Sequence, residues 1–210
     1  MARPLILASS SPYRRDLLEQ LQIPFECASP HINEEAFLGE QPSALAGRLA
    51  REKAQALAGT FPDALIIGSD QVAECDGQAL GKPGNHTRAA TQLQACSGRQ
   101  VNFYTGLSVL DSASGKQRTE IERFTVHFRQ LSEAQINYYL EQEKPFDCAG
   151  SFKVEGLGIA LFEKMEGNDF NSLIGLPLIR LVDLLRAFGL DPLTTTPQAT
   201  SGGQRNNSEK

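Results

Sequence analysis

Apolar and polar residues alternate along two stretches in the middle of the chain, at 101–109 and 124–128. A period of two residues is typical of strands that bury one face and expose the other. A turn near Ser114-Gly115 separates the two stretches. We therefore predict two long strands that pair as antiparallel neighbours.

Apolar residues with helical spacing predict several helices. The first begins after Ser11, whose hydroxyl can accept a hydrogen bond from the first turn, and Pro12 occupies a position where a missing N–H costs nothing. Ser132 and Gln135 have the spacing of a capping box at the start of another helix. The later helices are predicted at 43–58, 87–96, 132–142 and 177–188.

Short apolar runs predict further strands at 5–8, 25–28, 64–69 and 159–162, and the third of these is expected to stop at Asp70. Asp76-Gly77 predicts a hairpin turn. Because helices interleave with strands while at least one strand pair forms a hairpin, we expect an α/β fold with a mixed sheet. Residues 1–193 form the predicted domain, and 194–210 form a disordered polar tail.

Composition narrows the classes of function. The 210 residues carry a net charge of -5, which argues against nonspecific nucleic-acid binding but allows a local basic pocket for a small anion. We find no apolar run that could span a bilayer and no signal-peptide core. Four scattered cysteines are typical of reduced thiols. We expect a cytoplasmic protein without membrane or nucleic-acid partners, and homodimer formation is left open.

The turn between the first strand and the first helix carries three serines, a tyrosine and two arginines. Ser9 and Ser11, free backbone N–H groups at a helix start and the guanidinium groups of Arg14 and Arg15 together make a phosphate cradle. The alternative is an ordinary capped helix with solvated arginines. From the residues alone, the two interpretations are about equally supported.

Asp70 follows a buried strand, with Ser69 and Gln71 beside it. Open sheets bind ligands outside the carboxyl ends of their strands, so a carboxylate there is well placed to hold a metal or a water molecule. The alternative is an aspartate that only forms a turn. The neighbouring polar residues favour the functional interpretation.

Further charged residues are candidates for a site. Lys53 shares a helical row with apolar residues, and a buried lysine is costly unless it meets an anion, although it can also extend along the edge of the face. Lys82 and Glu34 lie in turns, where the simplest interpretation is a solvated side chain. Glu155, in a segment of small residues, can accept hydrogen bonds from a base edge, but the signal is weak and the residues alone favour a plain loop.

Together these segments resemble the motifs of the Maf family of nucleoside triphosphate pyrophosphatases, in the same order along the chain. The resemblance covers 5–193, and it implies an elongated mixed sheet flanked by helices with a deep substrate cleft, as in Ham1 and the inosine triphosphatases. The matching segments are LASSSPYRR at 7–15, AREKA at 50–54, GSDQ at 68–71, GKP at 81–83, AGS at 149–151 and GLPL at 175–178.

The resemblance also implies a reaction, hydrolysis between the α and β phosphates with a divalent cation such as Mg²⁺, Mn²⁺ or Co²⁺. By position, Asp70 is the implied general base or metal-bound carboxylate, and Glu34 the second metal ligand. The implied triphosphate ligands are Ser9, Ser11, Arg14, Arg15, Lys53 and Lys82.

Substrate choice within the family rests on three positions. Tyr13, Gln71 and Glu155 resemble the 7-methyl-GTP subgroup, although tryptophan is expected at the first position, where the dTTP/UTP subgroup carries arginine. The positive charge of 7-methylguanine favours an aromatic face and a nearby carboxylate. The alternatives are a pyrophosphatase for another noncanonical or pyrimidine triphosphate, and a non-catalytic nucleotide-binding regulator of cell division.

Overall fold

Seven strands and six α-helices form within residues 3–194, the part of the chain that the computed structural model describes. The predicted tail lies outside the described residues apart from Thr194. The strands are β1 (Leu5–Ala8), β2 (Glu26–Ala28), β3 (Leu65–Cys75), β4 (Gln78–Leu80), β5 (Gln100–Asp111), β6 (Gln117–Phe128) and β7 (Phe162–Glu166). The helices are α1 (Pro12–Glu19), α2 (Pro42–Ala56), α3 (His86–Cys96), α4 (Glu133–Glu143), α5 (Phe170–Ile174) and α6 (Leu178–Ala187).

The strands form one mixed sheet in the order β2-β1-β3-β5-β6-β7, and β4 pairs with the far end of β3. β1 pairs in parallel with β2 and β3, and the other pairs are antiparallel. The predicted α/β fold with a mixed sheet flanked by helices is confirmed, as are the β5–β6 pair and the Ser132–Gln135 capping box.

The apolar core is divided between the two ends of the sheet. At the β1 end, Leu5 and Leu7 pack with α1 and α6, whereas Ile6 and Ala8 pack with α2, so helices cover both faces. At the other end, α3 and α4 pack against the far halves of β3, β5 and β6, around Phe103. The sheet therefore supports two packed regions with a cleft between them.

The prediction that a strand ends at Asp70 is wrong, because β3 continues to Cys75. Its antiparallel partner β5 accompanies it past this point, with Asp70 opposite Gly106. On the other side, β1 pairs with β3 only as far as Gly68, and β4 pairs from Ala73 onward. Asp70 thus lies inside a strand, next to the gap that β1 leaves where it ends.

The strand predicted at 159–162 is also displaced. Residues 157–161 form a 3-10 helix, and β7 begins only at Phe162. A Cβ on Gly158 would stand 2.1 Å from the carbonyl oxygen of Lys153, so the chain folds back on itself here instead of extending. The short helix α5, capped by the Asp169 side chain, was not predicted, since five residues are too few to display a period.

Two glycines on neighbouring strands allow α2 to lie directly on the sheet. A Cβ on Gly68 would come within 2.1 Å of the carbonyl oxygen of Ala50, and one on Gly106 within 2.1 Å of that of Ala46. Only a residue without a side chain permits this approach of backbone to backbone. The contact determines the depth at which Lys53, further along the same helix, meets the sheet.

We predict that Gly106→Ala lowers the free energy of unfolding, because the added methyl group meets a helix backbone atom that cannot rotate away. Overpacking of this kind costs about 1–3 kcal/mol or more. Urea unfolding measures the change. Gly59→Ala is the matched control, since its Cβ would meet nothing within 4 Å. A Gly106→Ala protein as stable as the wild type would contradict this account of the α2 contact.

Candidate functional site

A cleft of about 650 Å³ opens between the two packed regions. Its volume lies in the range of small-ligand sites. All the predicted site residues except Arg15 line it: Ser9, Ser11, Tyr13, Arg14, Glu34, Lys53, Asp70, Gln71, Lys82 and Glu155.

Lys53 connects two carboxylates inside the cleft. Its Nζ lies 2.6 Å from Oδ1 of Asp70 and 2.7 Å from Oε1 of Glu34. The Lys53 side chain is only 8% exposed and that of Asp70 12%, whereas Glu34 is 57% exposed. The buried lysine is thus compensated by a buried carboxylate and by a second one that reaches it from the surface. Of the two interpretations left open by the sequence, the structure therefore shows Lys53 buried beside anionic groups and not extended along the edge of the helix face.

Arg14 is held in the cleft by a distant part of the chain. Its Nε donates to the carbonyl oxygen of Gly175 at 2.9 Å, and the Ser69 hydroxyl donates to the same oxygen at 3.0 Å. Burial lowers the pKa of Arg14 from its ordinary value, and the charges of Asp70 and Glu34 oppose that shift. The guanidinium therefore faces the cleft with its Nε already occupied and its position defined.

The serine turn before α1 is internally ordered. The backbone N–H of Ser11 donates to the hydroxyl oxygen of Ser9 at 3.1 Å, and that of Arg14 donates to the hydroxyl oxygen of Ser11 at 3.4 Å. Ser11 is therefore the predicted N-cap of α1 and also lines the cleft. Because the start of α1 opens onto the cleft, the capped-helix and phosphate-cradle interpretations describe the same structure.

Cationic side chains outnumber carboxylates in the part of the cleft around Lys53. Arg14, Lys53 and Lys82 are three cations beside the two carboxylates of Glu34 and Asp70. Burial alone would raise the pKa of Glu34, but the hydrogen bond from Lys53 and the charges of Lys53, Lys82 and Arg14 hold it below its ordinary value. The result is a local positive field in a protein of net negative charge.

A second group of cleft residues is acidic and aromatic. Burial, followed by the charges of Cys148, Asp147 and Glu155, raises the pKa of Tyr13 to about 12. The phenol is therefore protonated at neutral pH and lies near two carboxylates. The cleft is thus lined by one group of cations around Lys53 and by a second group in which an aromatic ring lies near Asp147 and Glu155, with Lys153 beside them.

Gln71 lines the cleft but already uses its amide nitrogen within the protein. Nε2 lies 3.1 Å from the Thr105 hydroxyl, 2.7 Å from the carbonyl oxygen of Ser172 and 3.1 Å from that of Leu173. These acceptors fix α5 against β3 and β5. Only the amide oxygen of Gln71 is left to meet a ligand, which narrows the binding role predicted for this residue.

Arg15 is the one predicted ligand that the structure does not bring to the cleft. Its Nε lies 3.1 Å from Oε1 of Glu19 on the exposed side of α1. Tyr13 and Arg14 occupy the side of α1 that faces the cleft, and the further turn of about 100° to Arg15 carries its side chain away from the cleft.

Arg48 of α2 organises the loop that carries Glu34, a role that the sequence analysis missed. Its guanidinium donates to both carboxylate oxygens of Glu40 at 2.7 and 2.8 Å and to the carbonyl oxygen of Glu35 at 2.9 Å. It also lies 4.0 Å from the centre of the Phe37 ring. Its separation of four residues from Glu52 is typical of a surface ion pair, and nothing in the sequence indicates that Glu40 folds back onto it.

Gly175 is a second missed residue. Its φ of 127° is a backbone conformation that favours glycine, and it turns the chain from α5 toward α6 so that its carbonyl oxygen faces Arg14 and Ser69. The available signal was the glycine in the GLPL segment, but a sequence does not reveal which side chains a carbonyl will meet.

Metal-binding capacity rests on two carboxylates. Within residues 3–194 no group of three or more His, Cys, Asp and Glu side chains has the arrangement of a metal site. Glu34 and Asp70 nevertheless lie close together: each binds the Lys53 nitrogen through one oxygen, Oε1 and Oδ1, and its second oxygen is the one that a cation could approach. Magnesium commonly binds through one or two carboxylates, with substrate phosphates and water completing its shell. The pair therefore fits a cation that a phosphate ligand helps to hold.

Several known proteins are similar to this chain. The family model described as Maf-like protein matches residues 4–188. A 7-methyl-GTP pyrophosphatase from Colwellia psychrerythraea is 52% identical over 198 residues, which are 94% of this chain and 99% of that protein. Among solved structures, the Staphylococcus aureus Ham1 protein aligns with a TM-score of 0.49 and 13% identity, over 89% of this chain and 97% of that chain. Within residues 3–194 there is no helix with the length and apolar character needed to cross a membrane.

We predict that the Arg48–Glu40 pair stabilises the protein in a pH-dependent way. The hydrogen bond from Arg48 lowers the pKa of Glu40 from 4.5 to about 2. Since the folded-state pKa is depressed, the stabilisation is present above about pH 4.5 and is lost as the pH falls toward 2. Glu40→Gln should therefore be less stable than the wild type at neutral pH, and the difference should shrink in acid.

Urea unfolding of both proteins between about pH 7 and pH 2 measures that difference. Glu141→Gln, which alters an exposed glutamate of α4, is the control and should match the wild type throughout. A Glu40→Gln defect of constant size across this pH range would show that the charge on Glu40 is not the stabilising feature.

Proposed function

Because the chain belongs to the Maf family, we propose that it is a nucleoside triphosphate pyrophosphatase. It hydrolyses the bond between the α and β phosphates to give a nucleoside monophosphate and pyrophosphate, with 7-methyl-GTP as the preferred substrate. The observation that carries the proposal is the buried Lys53, held between Asp70 and Glu34 beside Arg14 and Lys82, in a cleft of nucleotide size. The 52% identity with a 7-methyl-GTP pyrophosphatase supports the choice of substrate.

The cations bind and neutralise the triphosphate. Phosphoryl transfer depends on positioning and on stabilising the charge of the phosphate oxygens more than on covalent help from the protein. Arg14, Lys53 and Lys82 supply positive charge from three different elements, and the start of α1 adds backbone N–H groups with Ser9 and Ser11. These three cations come from different parts of the chain, so they orient the phosphates as well as attract them.

Asp70 orients the attacking water and accepts its proton. Its carboxylate is buried, lies inside a strand and is hydrogen-bonded to Lys53, so its position is well defined. Glu34 and Asp70 would hold the divalent cation. Such a cation supplies charge neutralisation of the phosphates and a more acidic water.

The base end of the cleft suits a cationic purine. Tyr13 offers a ring face, and Glu155 offers acceptors for the amino and ring N–H groups of guanine. A cation over an aromatic ring gains about 1–2 kcal/mol when it is desolvated. In such a substrate the negative triphosphate is opposite in charge to the cations around Lys53, and the positive base is opposite in charge to the carboxylates near Tyr13.

Pyrophosphate release from a panel of triphosphates with Mg²⁺, Mn²⁺ or Co²⁺ tests the proposal. We expect 7-methyl-GTP to be hydrolysed much faster than GTP, dTTP or UTP at equal, subsaturating concentrations. A preference for dTTP or UTP would overturn the substrate assignment but leave the reaction. If no triphosphate is cleaved, the pyrophosphatase proposal fails and a binding regulator becomes the better account.

We predict that Asp70→Asn abolishes turnover while the protein still folds, because the amide retains the shape but loses the charge. Removing a preorganised charged group raises a reaction barrier by about 3 kcal/mol, or more than 100-fold in rate. Steady-state kinetics and circular dichroism measure the two effects. Asp16→Asn, an exposed change on α1, is the control, and near-normal rates for Asp70→Asn would remove this residue from the mechanism.

Tyr13→Ala should reduce kcat/KM for 7-methyl-GTP more than for any pyrimidine triphosphate, by roughly 10-fold from the cation–π energy. Glu155→Gln should narrow the difference between the purine and the pyrimidines. Tyr138→Ala, which removes an exposed tyrosine of α4, should leave both rates unchanged. An equal loss for all substrates after Tyr13→Ala would refute a role in reading the base.

A further inference from the structure

Two segments on the same side of the cleft carry the residues proposed to bind opposite ends of the substrate. Lys82 lies in the segment 81–84, and Glu155 lies in the segment 147–155. Both segments are irregular, and each passes beside α3. Their relative position sets the distance between the proposed phosphate and base sites.

Gln92 of α3 contacts both segments with one side chain. Its Nε2 donates to the carbonyl oxygen of Gly81 at 3.1 Å, directly before Lys82. Its Oε1 accepts a hydrogen bond from the Ser151 hydroxyl at 2.5 Å. The carboxamide donates through its nitrogen and accepts through its oxygen, so the bridge uses both halves of the glutamine.

Ser151 is placed for this bridge by an unusual backbone. Its φ is 63° and that of Gly150 is 75°, and Ser151 is fully buried. A residue other than glycine in the left-handed region persists only where its surroundings enforce it. Gln92 helps to enforce this conformation, because its Oε1 accepts the hydrogen bond from the buried Ser151 hydroxyl.

A backbone hydrogen bond also joins the Lys82 segment to Phe146, the residue that directly precedes the segment 147–155. The N–H of Gly84 donates to the carbonyl oxygen of Phe146 at 2.9 Å. The Gln92 bridge and this bond thus lie on either side of Lys82 and Pro83. Together, the Gln92 bridge and the Gly84 bond hold the segment 81–84 to the segment 147–155.

We propose that Gln92 is a positioning residue that couples the base-binding segment to Lys82. The proposal rests on the pyrophosphatase function proposed above. Gln92 does not touch the substrate. It holds the Lys82 backbone at a fixed distance from Glu155, so that a base bound at one end of the cleft places the phosphates correctly at the other. Part of the free energy of binding the base is thereby used to lower the barrier to hydrolysis at the phosphates.

A double-mutant cycle tests the coupling. Gln92→Ala should lower kcat/KM for 7-methyl-GTP by roughly 10-fold, mostly in kcat, because displaced reacting groups cost rate more than binding. In a Lys82→Ala background the same change should cost less than about 2-fold, since there is no ammonium left to misplace. Gln94→Ala, an exposed glutamine on the same helix, is the control. An equal loss in both backgrounds would mean that Gln92 does not act through Lys82, and the proposal would be wrong.

Amide hydrogen exchange provides a readout that does not depend on catalysis. Gln92→Ala should accelerate exchange at the Gly84 N–H, whereas Gln94→Ala should not. If the wild type cleaves no triphosphate, the pyrophosphatase proposal fails separately, and an unchanged Gly84 rate would still overturn the mechanical coupling. Should Gln92→Ala fail to fold, Ser151→Ala removes one half of the bridge and must give the same Gly84 acceleration for the proposal to stand.

Discussion

The close contact of α2 with the sheet is the constraint on which the site depends. Gly68 and Gly106, on adjacent strands, bring the helix backbone to a depth that any other residue would prevent. At that depth Lys53 reaches Asp70, and the same helix carries Arg48, which fixes the loop of Glu34. One packing contact therefore sets the separation of the lysine and both carboxylates, and the chemistry of the cleft follows from backbone geometry.

Electrostatics then explains why such a costly arrangement is retained. A buried ion pair contributes little to folding, because desolvation of its charges offsets their attraction. Lys53 is shared between a buried and a half-exposed carboxylate, while Arg14 and Lys82 leave the part of the cleft around Lys53 with excess positive charge. A polyanion entering the cleft can balance this excess without any rearrangement of buried groups. The positive charge that the fold holds in place around Lys53 is available as affinity and orientation for an anionic ligand.

Local sequence patterns predict much of the fold. The paired strands and the capped helices follow from periodicity and capping residues, whereas the cleft residues from Ser9 to Glu155 are implied by the resemblance to the Maf motifs. The length of β3 and the bridge through Gln92 were not predicted, because each depends on a partner distant in the chain, and the orientation of Arg15 depends on the turn of α1. Asp70 interrupts an apolar run, so the run alone indicates an end, whereas β5 continues the strand. Adjacent arginines look equivalent in a sequence until a helix separates them by its turn.

The hydrogen bond between Arg14 and Gly175 joins residues separated by 161 positions. Ser69 donates to the same carbonyl, so the first motif, the central strand and the turn before α6 meet at one oxygen atom. During synthesis from the N-terminus, the serine turn and Asp70 leave the ribosome long before Gly175 does. A nascent chain therefore carries most of the cleft's charged groups before the atom that orients Arg14 exists. The site is completed only after Gly175 has been synthesised, when the chain that follows can also bury the apolar face of α6.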